Sequence, residues 1–285
     1  MSTLPPPDAD ALAHSARLAD LIRHEIAAGD GAIAFSRFME LALYAPGLGY
    51  YSAGAHKFGE GGDFVTAPEL GPVFAACVAQ AVAPVLQQLG SQAVFLELGG
   101  GSGAFAQTAL KRLMDLDALP DRYLILEPSA DLRQRQRARL QQHLPEPLFD
   151  LLEWPDGPLP HEWNGVLFAN EVIDALPTPR FLARDGMVFE ETVELDADGA
   201  FMRGAQPADA MLSAAVRHIE HYREKPFADG YRSELLPQLP YWIQAVAGGM
   251  QRGAMLFVDY GYPRGEYYQD ERDDGTVRAL SLIHI

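Results

Sequence analysis

Two periods of hydrophobic and polar residues run along this chain, and the switches between them mark its elements. From Ala9 to Ala28, Leu12, Leu18, Leu21, Ile22 and Ile26 recur at helical spacing, and Gly29-Asp30-Gly31 ends the pattern. A second helix is predicted over Ile33 to Leu43, with Ser36 as N-cap. Tyr44 to Gly71 has no period, is rich in Gly and carries Tyr50-Tyr51; a loop so long and so apolar inside a domain reads as functional. Glu69 to Leu89 predicts another helix. Short apolar runs then appear at Val94–Leu96, Arg122–Glu127, Phe149–Trp154, Asn164–Ala169 and Ala254–Asp259, with helical stretches at Phe105–Met114, Asp131–His143 and Leu239–Ala247. Of these, Asp131–His143 is so polar that it reads as a solvated face. Apolar strands that alternate with helices predict an α/β fold with a parallel, doubly wound sheet, covered on both faces. Arg180 to Arg203 follows a different rule. It alternates and is punctuated by Asp185-Gly186 and Asp198-Gly199, so it predicts β-hairpins, followed by a helix at about Ala208–Glu220.

The predicted division is an N-terminal helical extension with a covering loop over 1–90, then a sheet core over 91–285 with a lobe inserted at about 178–250. The 285 residues, 48% of them hydrophobic, suffice for one large domain, or one and a small lobe. A net charge of −17 argues against nucleic acid as the main partner and favours a cationic one. No apolar run approaches the roughly 20 residues of a membrane span. A single cysteine, Cys77, excludes a disulfide framework and fits a reducing compartment. The opening MSTLPPPDADA has no targeting pattern and reads as a short lead, so the expected location is cytoplasmic.

Candidate chemistry gathers at the C-terminal ends of the predicted strands, where open parallel sheets bind ligands. The run AVFLELGGGSGA, Ala93 to Ala104, closes a strand with Glu97 and then sets Gly99, Gly100, Gly101 and Gly103 before a helix. Such a turn lets backbone approach a ligand and aims N–H groups at it. A carboxylate at Glu97 suits a cationic or zwitterionic ligand better than a pyrophosphate; its bland alternative is a turn-stabilising acid. Glu127 ends the next strand, 24 residues past the last glycine, where an acid takes both hydroxyls of a ribose. A ribose beside a positive group describes S-adenosylmethionine. Asn170-Glu171 and Asp259 mark two further strand ends.

Tyr50-Tyr51, GDFVTAPEL (Gly62–Leu70), ELGGGSG (Glu97–Gly103), the strand ending at Glu127, ANEVIDALP (Ala169–Pro177), VDYG (Val258–Gly261) and GTVRA (Gly275–Ala279) occur in this order. Together they resemble the MidA-type S-adenosylmethionine-dependent methyltransferases, bacterial and mitochondrial relatives of a protein arginine methyltransferase that assists assembly of respiratory complex I. The resemblance runs from about Gly31 to Ala279. It implies a seven-stranded class I methyltransferase fold, Rossmann-like, with extra N-terminal helices and an inserted lobe. It implies S-adenosyl-L-methionine as cofactor and a protein substrate, with arginine as acceptor in the mitochondrial relative. By matching position, Gly99, Gly101 and Gly103, with Gly100 between them, fall to the cofactor turn and Glu127 to the ribose. Thr66, Pro68 and Glu69 fall to the segment that closes over the cofactor, and Asn170, Glu171 and Asp174 to the substrate-facing motif. The family has Pro and Arg where this chain has Gly100 and Ser102. After Ala279 it continues with further structure, whereas this chain reads LSLIHI and stops, as a truncated chain would.

Glu171 and Asp174 are the candidates to orient a guanidinium and help it shed its proton, with Glu69 or Asp63 facing them; the alternative is that they cap a turn. Two rival readings are a nicotinamide-dependent oxidoreductase and a non-enzymatic assembly factor that keeps the fold. His218 and His221 have metal spacing without an evident third ligand, so no metal is expected. His56 and Lys57 read as exposed. Trp154 is expected in packing or beside an adenine, and Tyr50-Tyr51 either against the N-terminal helices or along a substrate channel.

Overall fold

The computed structural model describes residues 9–52, 67–159 and 161–277. In chain order the elements are α1 (Ala9–Ala28), β1 (Ala32–Ala34), α2 (Phe35–Tyr44), α3 (Pro72–Leu89), β2 (Val94–Leu98), α4 (Ala104–Asp115), β3 (Arg122–Leu126), α5 (Ala130–His143), α6 (Glu146–Phe149), β4 (Leu152–Glu153) and β5 (Trp163–Asn170). They continue with β6 (Arg180–Arg184), β7 (Met187–Leu195), β8 (Phe201–Pro207), α7 (Ala210–Arg223), β9 (Arg232–Glu234), α8 (Leu239–Ala247), β10 (Met250–Val258) and α9 (Arg264–Tyr267). The chain divides into two compact units. One comprises residues 54–174, 240–260 and 281–285; the other comprises 1–53, 175–239 and 261–280.

The first unit is built on a five-stranded sheet in the order β10-β5-β2-β3-β4, parallel throughout. Because neighbouring residues of a strand point to opposite faces, β2 feeds two cores. Phe95 packs with Tyr123, Phe105, Phe168 and the buried side of α3 on one face. Val94, Leu96 and Leu98 pack with Leu124, Leu167 and α8 on the other. Both faces are therefore covered, as the apolar strand composition requires. Phe95 stacks on Tyr123 with ring centroids 4.6 Å apart, and Phe105 on Phe168 at 4.1 Å. Gly165 is needed because a Cβ there would stand 1.8 Å from the carbonyl oxygen of Val94.

The second unit holds an antiparallel five-stranded sheet, β1-β7-β6-β9 with β8 also on β7. The alternating stretch at 180–203 thus forms its centre. The N-terminal β1 is part of this sheet, so the N-terminal helices and most of the inserted lobe share one unit, whereas α3 and α8 lie in the other. Arg180 is buried at its centre. Its guanidinium reaches Glu191 at 2.5 Å, Glu234 at 3.4 Å and Asp274 at 3.0 Å, and faces the Phe35 ring at 5.5 Å.

Several expectations need correction. The helix predicted from Ile33 starts at Phe35, because Ile33 pairs with Val193 in β1; Ser36 lies inside α2, and Ala34 stands at the cap without a side-chain bond. The helix expected from Glu69 starts at Pro72, where proline suits a first turn. The run Phe149–Trp154 ends a short helix and supplies only the two-residue β4. The sheet has five strands among the described residues, where the resemblance implied seven. Among the described residues one helix, α3, is long and apolar enough to cross a membrane by length and composition. Its apolarity is used inside the unit: Ala75, Val78, Ala79, Val82, Ala83 and Leu86 are buried in the core. Asp63, Thr66, His56, Lys57 and the LSLIHI tail lie outside the described residues.

Removing the Arg180 guanidinium would leave Glu191 and Glu234 as buried acids without their shared cation. Arg180→Ala is expected to cost about 3–5 kcal/mol of stability, read by urea denaturation. A loss near zero would mean that the cluster contributes nothing to this unit.

Candidate functional site

The register of the parallel sheet builds the site. The last paired row sets Leu98 level with Leu126 on β3 and with Ala169 on β5. The residues that follow this row are Gly99, Glu127 and Asn170. One step further out, Asn170 is level with Val258 of β10, which brings Asp259 beside Glu171. The chain runs outward from β2 to β3 and β4, then returns to β5 on the other side of β2. This reversal makes the ends of β2 and β5 the crevice where such sheets hold ligands.

The turn after β2 uses its glycines for distinct reasons. Gly99, Gly101 and Gly103 adopt φ of 65°, 52° and 84°, which side-chain-bearing residues rarely take. Gly100 has ordinary φ, but a Cβ there would lie 2.6 Å from Ile125 Cγ2 and 3.1 Å from Gln136 Nε2. A Cβ on Gly101 would meet nothing within 4 Å, so the backbone at that point is open to a ligand. The turn is braced from α5, whose Gln136 Nε2 donates to the Gly101 carbonyl at 2.9 Å and to Glu127 Oε2 at 3.3 Å. Trp154 Nε1 donates to Gln136 Oε1 at 2.8 Å. Trp154 is therefore tied into the polar bracing of the turn.

Glu127 is buried at the end of β3. Its Oε1 accepts the Ser129 amide at 2.9 Å, and burial holds its pKa above the usual carboxylate range. Glu97 is only 3% exposed and lies on the face that carries Phe95. Its Oε2 accepts from Tyr123 Oη at 2.7 Å. Burial raises its pKa to about 7, against the Tyr123 bond that lowers it, and the charge of Glu127 adds to the rise. The acid read as facing a ligand is thus set into the sheet beneath the turn.

At the end of β5, Glu171 has φ 52°, strained for a residue with a side chain, and its amide donates to the Val258 carbonyl at 2.8 Å. Its half-buried carboxylate accepts from Asn170 Nδ2 at 3.4 Å, and Tyr260 is close enough to act against a rise of its pKa. Burial raises its pKa, and Asp259 adds to the rise. Asp259 Oδ2 accepts the amides of Ile173 at 2.8 Å and Asp174 at 3.2 Å, which fixes the turn that Glu171 opens. Asp174 is exposed.

Glu69, close after Pro68, reaches the glycine turn, where its carboxylate accepts from the Ser102 hydroxyl. Of the residues selected from sequence, the structure therefore gathers Glu69, Glu97, Gly99, Gly100, Gly101, Gly103, Glu127, Asn170 and Glu171 at one end of the sheet. Tyr51 stacks on Tyr44 at 5.5 Å and meets Tyr50 edge-on at 5.2 Å, in the N-terminal part of the other unit. His218 meets Tyr222 edge-on at 4.9 Å, and among the described residues no group of three or more His, Cys, Asp or Glu is arranged to hold a metal. Tyr123, Gln136, Arg139 and Tyr260 went unselected. Tyr123 reads as one more apolar strand residue in RYLILE, and Gln136 and Arg139 sit inside the stretch taken for a solvated face.

Comparison with known proteins agrees with this geometry. Residues 77–284 match the S-adenosyl-L-methionine-dependent methyltransferase family, and the chain belongs to that family. A crystal structure from Burkholderia thailandensis, bound to S-adenosyl-homocysteine, superposes with a TM-score of 0.86 at 40% identity, over 96% of this chain and 70% of that one. A native crystal structure from the same organism gives 0.83 at 39% identity, over 96% and 69%. The protein arginine methyltransferase NDUFAF7 homolog, mitochondrial, of Drosophila melanogaster is 29% identical over 90% of this chain and 63% of its own length. The chain thus spans less than two thirds of that curated relative. The fold is a class I methyltransferase α/β fold, Rossmann-like and doubly wound, and family membership favours S-adenosyl-L-methionine over a nicotinamide. The site fits that cofactor: the backbone at Gly101 is open, and a buried carboxylate at Glu127 retains acceptor capacity beyond its two bonds.

Glu97 carries a folded-state pKa of about 7 against an ordinary value of 4.5. The native state therefore binds more protons than the unfolded state between those values, and stability falls as pH rises from 4.5 to 7. Glu97→Gln is expected to flatten that fall, raising stability at pH 8 by on the order of 3 kcal/mol relative to its effect at pH 4. Melting curves of both proteins across pH 4–8 check this, and parallel curves would contradict it.

Proposed function

We propose that this chain transfers a methyl group from S-adenosyl-L-methionine to an arginine side chain of a protein, in work linked to assembly of respiratory complex I. The observation that carries the reading is Glu171: a strained, half-buried carboxylate at the lip of the crevice, one strand from the glycine turn. The name of the Drosophila relative supports the acceptor class, and the resemblance supports the complex I link. When bound, S-adenosyl-L-methionine supplies a methyl group on a sulfonium.

In this reading, Gly99, Gly100, Gly101 and Gly103 admit the cofactor against bare backbone. Glu127 takes the ribose hydroxyls, and Glu97 supplies negative charge beneath the turn. Pro68 and Glu69 cover the site. Glu171 receives the guanidinium, which a carboxylate can grip with two parallel hydrogen bonds. Its raised pKa makes it a better proton acceptor than an exposed glutamate. Asn170 orients that carboxylate, and Asp174 offers a second acid to the incoming cation. Asp259 keeps Glu171 and Asp174 in place through the turn amides.

Glu171→Gln is expected to bind S-adenosylhomocysteine within about threefold of the parent by calorimetry, while methyl transfer falls at least about 100-fold. The assay follows tritium from labelled cofactor into lysate protein and then maps the modified residue. Full turnover in Glu171→Gln would remove the assignment of this residue. Cofactor binding by the parent without any labelled band would favour a scaffold that retains the fold.

A further inference from the structure

Glu69 meets the glycine turn that follows β2: the Ser102 hydroxyl donates to its carboxylate. Ser102 is the one side-chain-bearing residue among the turn positions 99–103, so it is the only member of the turn with a functional group to offer Glu69. Its Oγ also accepts, from Arg139 Nη1 of α5 at 3.0 Å and from the Ala104 amide at 3.3 Å. Arg139 Nη1 lies 4.0 Å from Glu69 Oε2, and its Nε donates to Gln107 Oε1 at 2.9 Å, which fixes the guanidinium against α4.

From this geometry we infer that Arg139 is a positioning residue for the cofactor: it polarises Ser102, and through Ser102 it latches the Glu69 segment over the glycine turn. The chemistry of the chain Arg139–Ser102–Glu69 gives it a direction. A hydroxyl that accepts from a cation is a stronger donor, and its acceptor here is an anion, so both bonds are charge-assisted. Glu69 is well shielded while Arg139 is about one third exposed, so the cation reinforces the inner bond from the solvent side. In this inference a ligand seated against the glycine turn leaves past Glu69. The latch therefore acts on how long the cofactor stays, and only indirectly on the acceptor. The inference rests on the methyltransferase reading.

The test is the dissociation rate of S-adenosylhomocysteine, measured by stopped-flow displacement on the full chain, with melting temperature as a folding check. Arg139→Gln and Ser102→Ala are each expected to speed dissociation by about tenfold. Because Arg139 acts through Ser102, the double variant is expected to be no faster than Ser102→Ala alone, which a general loosening of α5 would not produce. Arg139→Lys, which keeps the cation, is expected to recover most of the slow rate. Additive effects, or an Arg139→Gln rate equal to that of the parent, would overturn the latch while leaving cofactor binding intact. Failure of the parent chain to bind S-adenosylhomocysteine would instead overturn the methyltransferase reading, and the latch with it.

Discussion

Everything at the candidate site depends on β2 being paired on both edges. A strand with β3 on one side and β5 on the other, in parallel register, cannot slip by one residue without turning Phe95 and Glu97 to the wrong face. That register sets Leu98, Leu126 and Ala169 in one row, and the next residue on each strand is Gly99, Glu127 or Asn170. Residues far apart in the sequence thus reach one edge because the backbone ladders count in step. The reversal of strand order at β2 keeps the space in front of that edge open.

The same pairing explains why Glu97 is costly. Its row neighbours are Ile125 and Phe168, both fully buried, and its one side-chain hydrogen-bond donor is the equally buried Tyr123. A carboxylate in such surroundings is destabilising when ionised. Arg180 in the other unit is the opposite case. It is also buried, but three acids and an aromatic ring surround it, so its charge is shared out. A buried charge that is well matched speaks for architecture. One left with only a neutral partner lowers stability whenever it ionises.

Much of this was legible in the sequence. The apolar strands, the glycine turn and the acid ending β3 follow from local rules: buried parallel strands read as apolar runs, and φ above zero selects glycine. The alternating hairpins of 180–203 were legible for the same reason. Tertiary competition was not. Ile33 has the spacing of a helix but pairs with Val193, 160 residues later, and no local pattern announces that. The short run at 149–154 is apolar enough for a strand, yet Phe149 belongs to α6, whose Leu148 is buried in the core. Asp259 was visible as a strand-end acid, but its work as the acceptor for the 173–174 amides appears only once β10 lies beside β5.

α5 is the most instructive case. Its sequence is so rich in Arg and Gln that it reads as solvated, but Leu132, Gln136 and Leu140 recur every fourth residue and all three are buried. A long polar side chain on the inner face is not a packing error when the neighbour is a turn made of glycine. Three residues of that turn adopt conformations that glycine reaches freely, so their backbone freedom must be restrained from outside. Gln136 restrains the Gly101 carbonyl, and Arg139, one turn along the same helix, restrains Ser102. The polarity of α5 is therefore the counterpart of the glycines in the turn. A flexible backbone at the site demands hydrogen-bonding side chains from the nearest rigid element, and the helix that follows β3 is the one within reach.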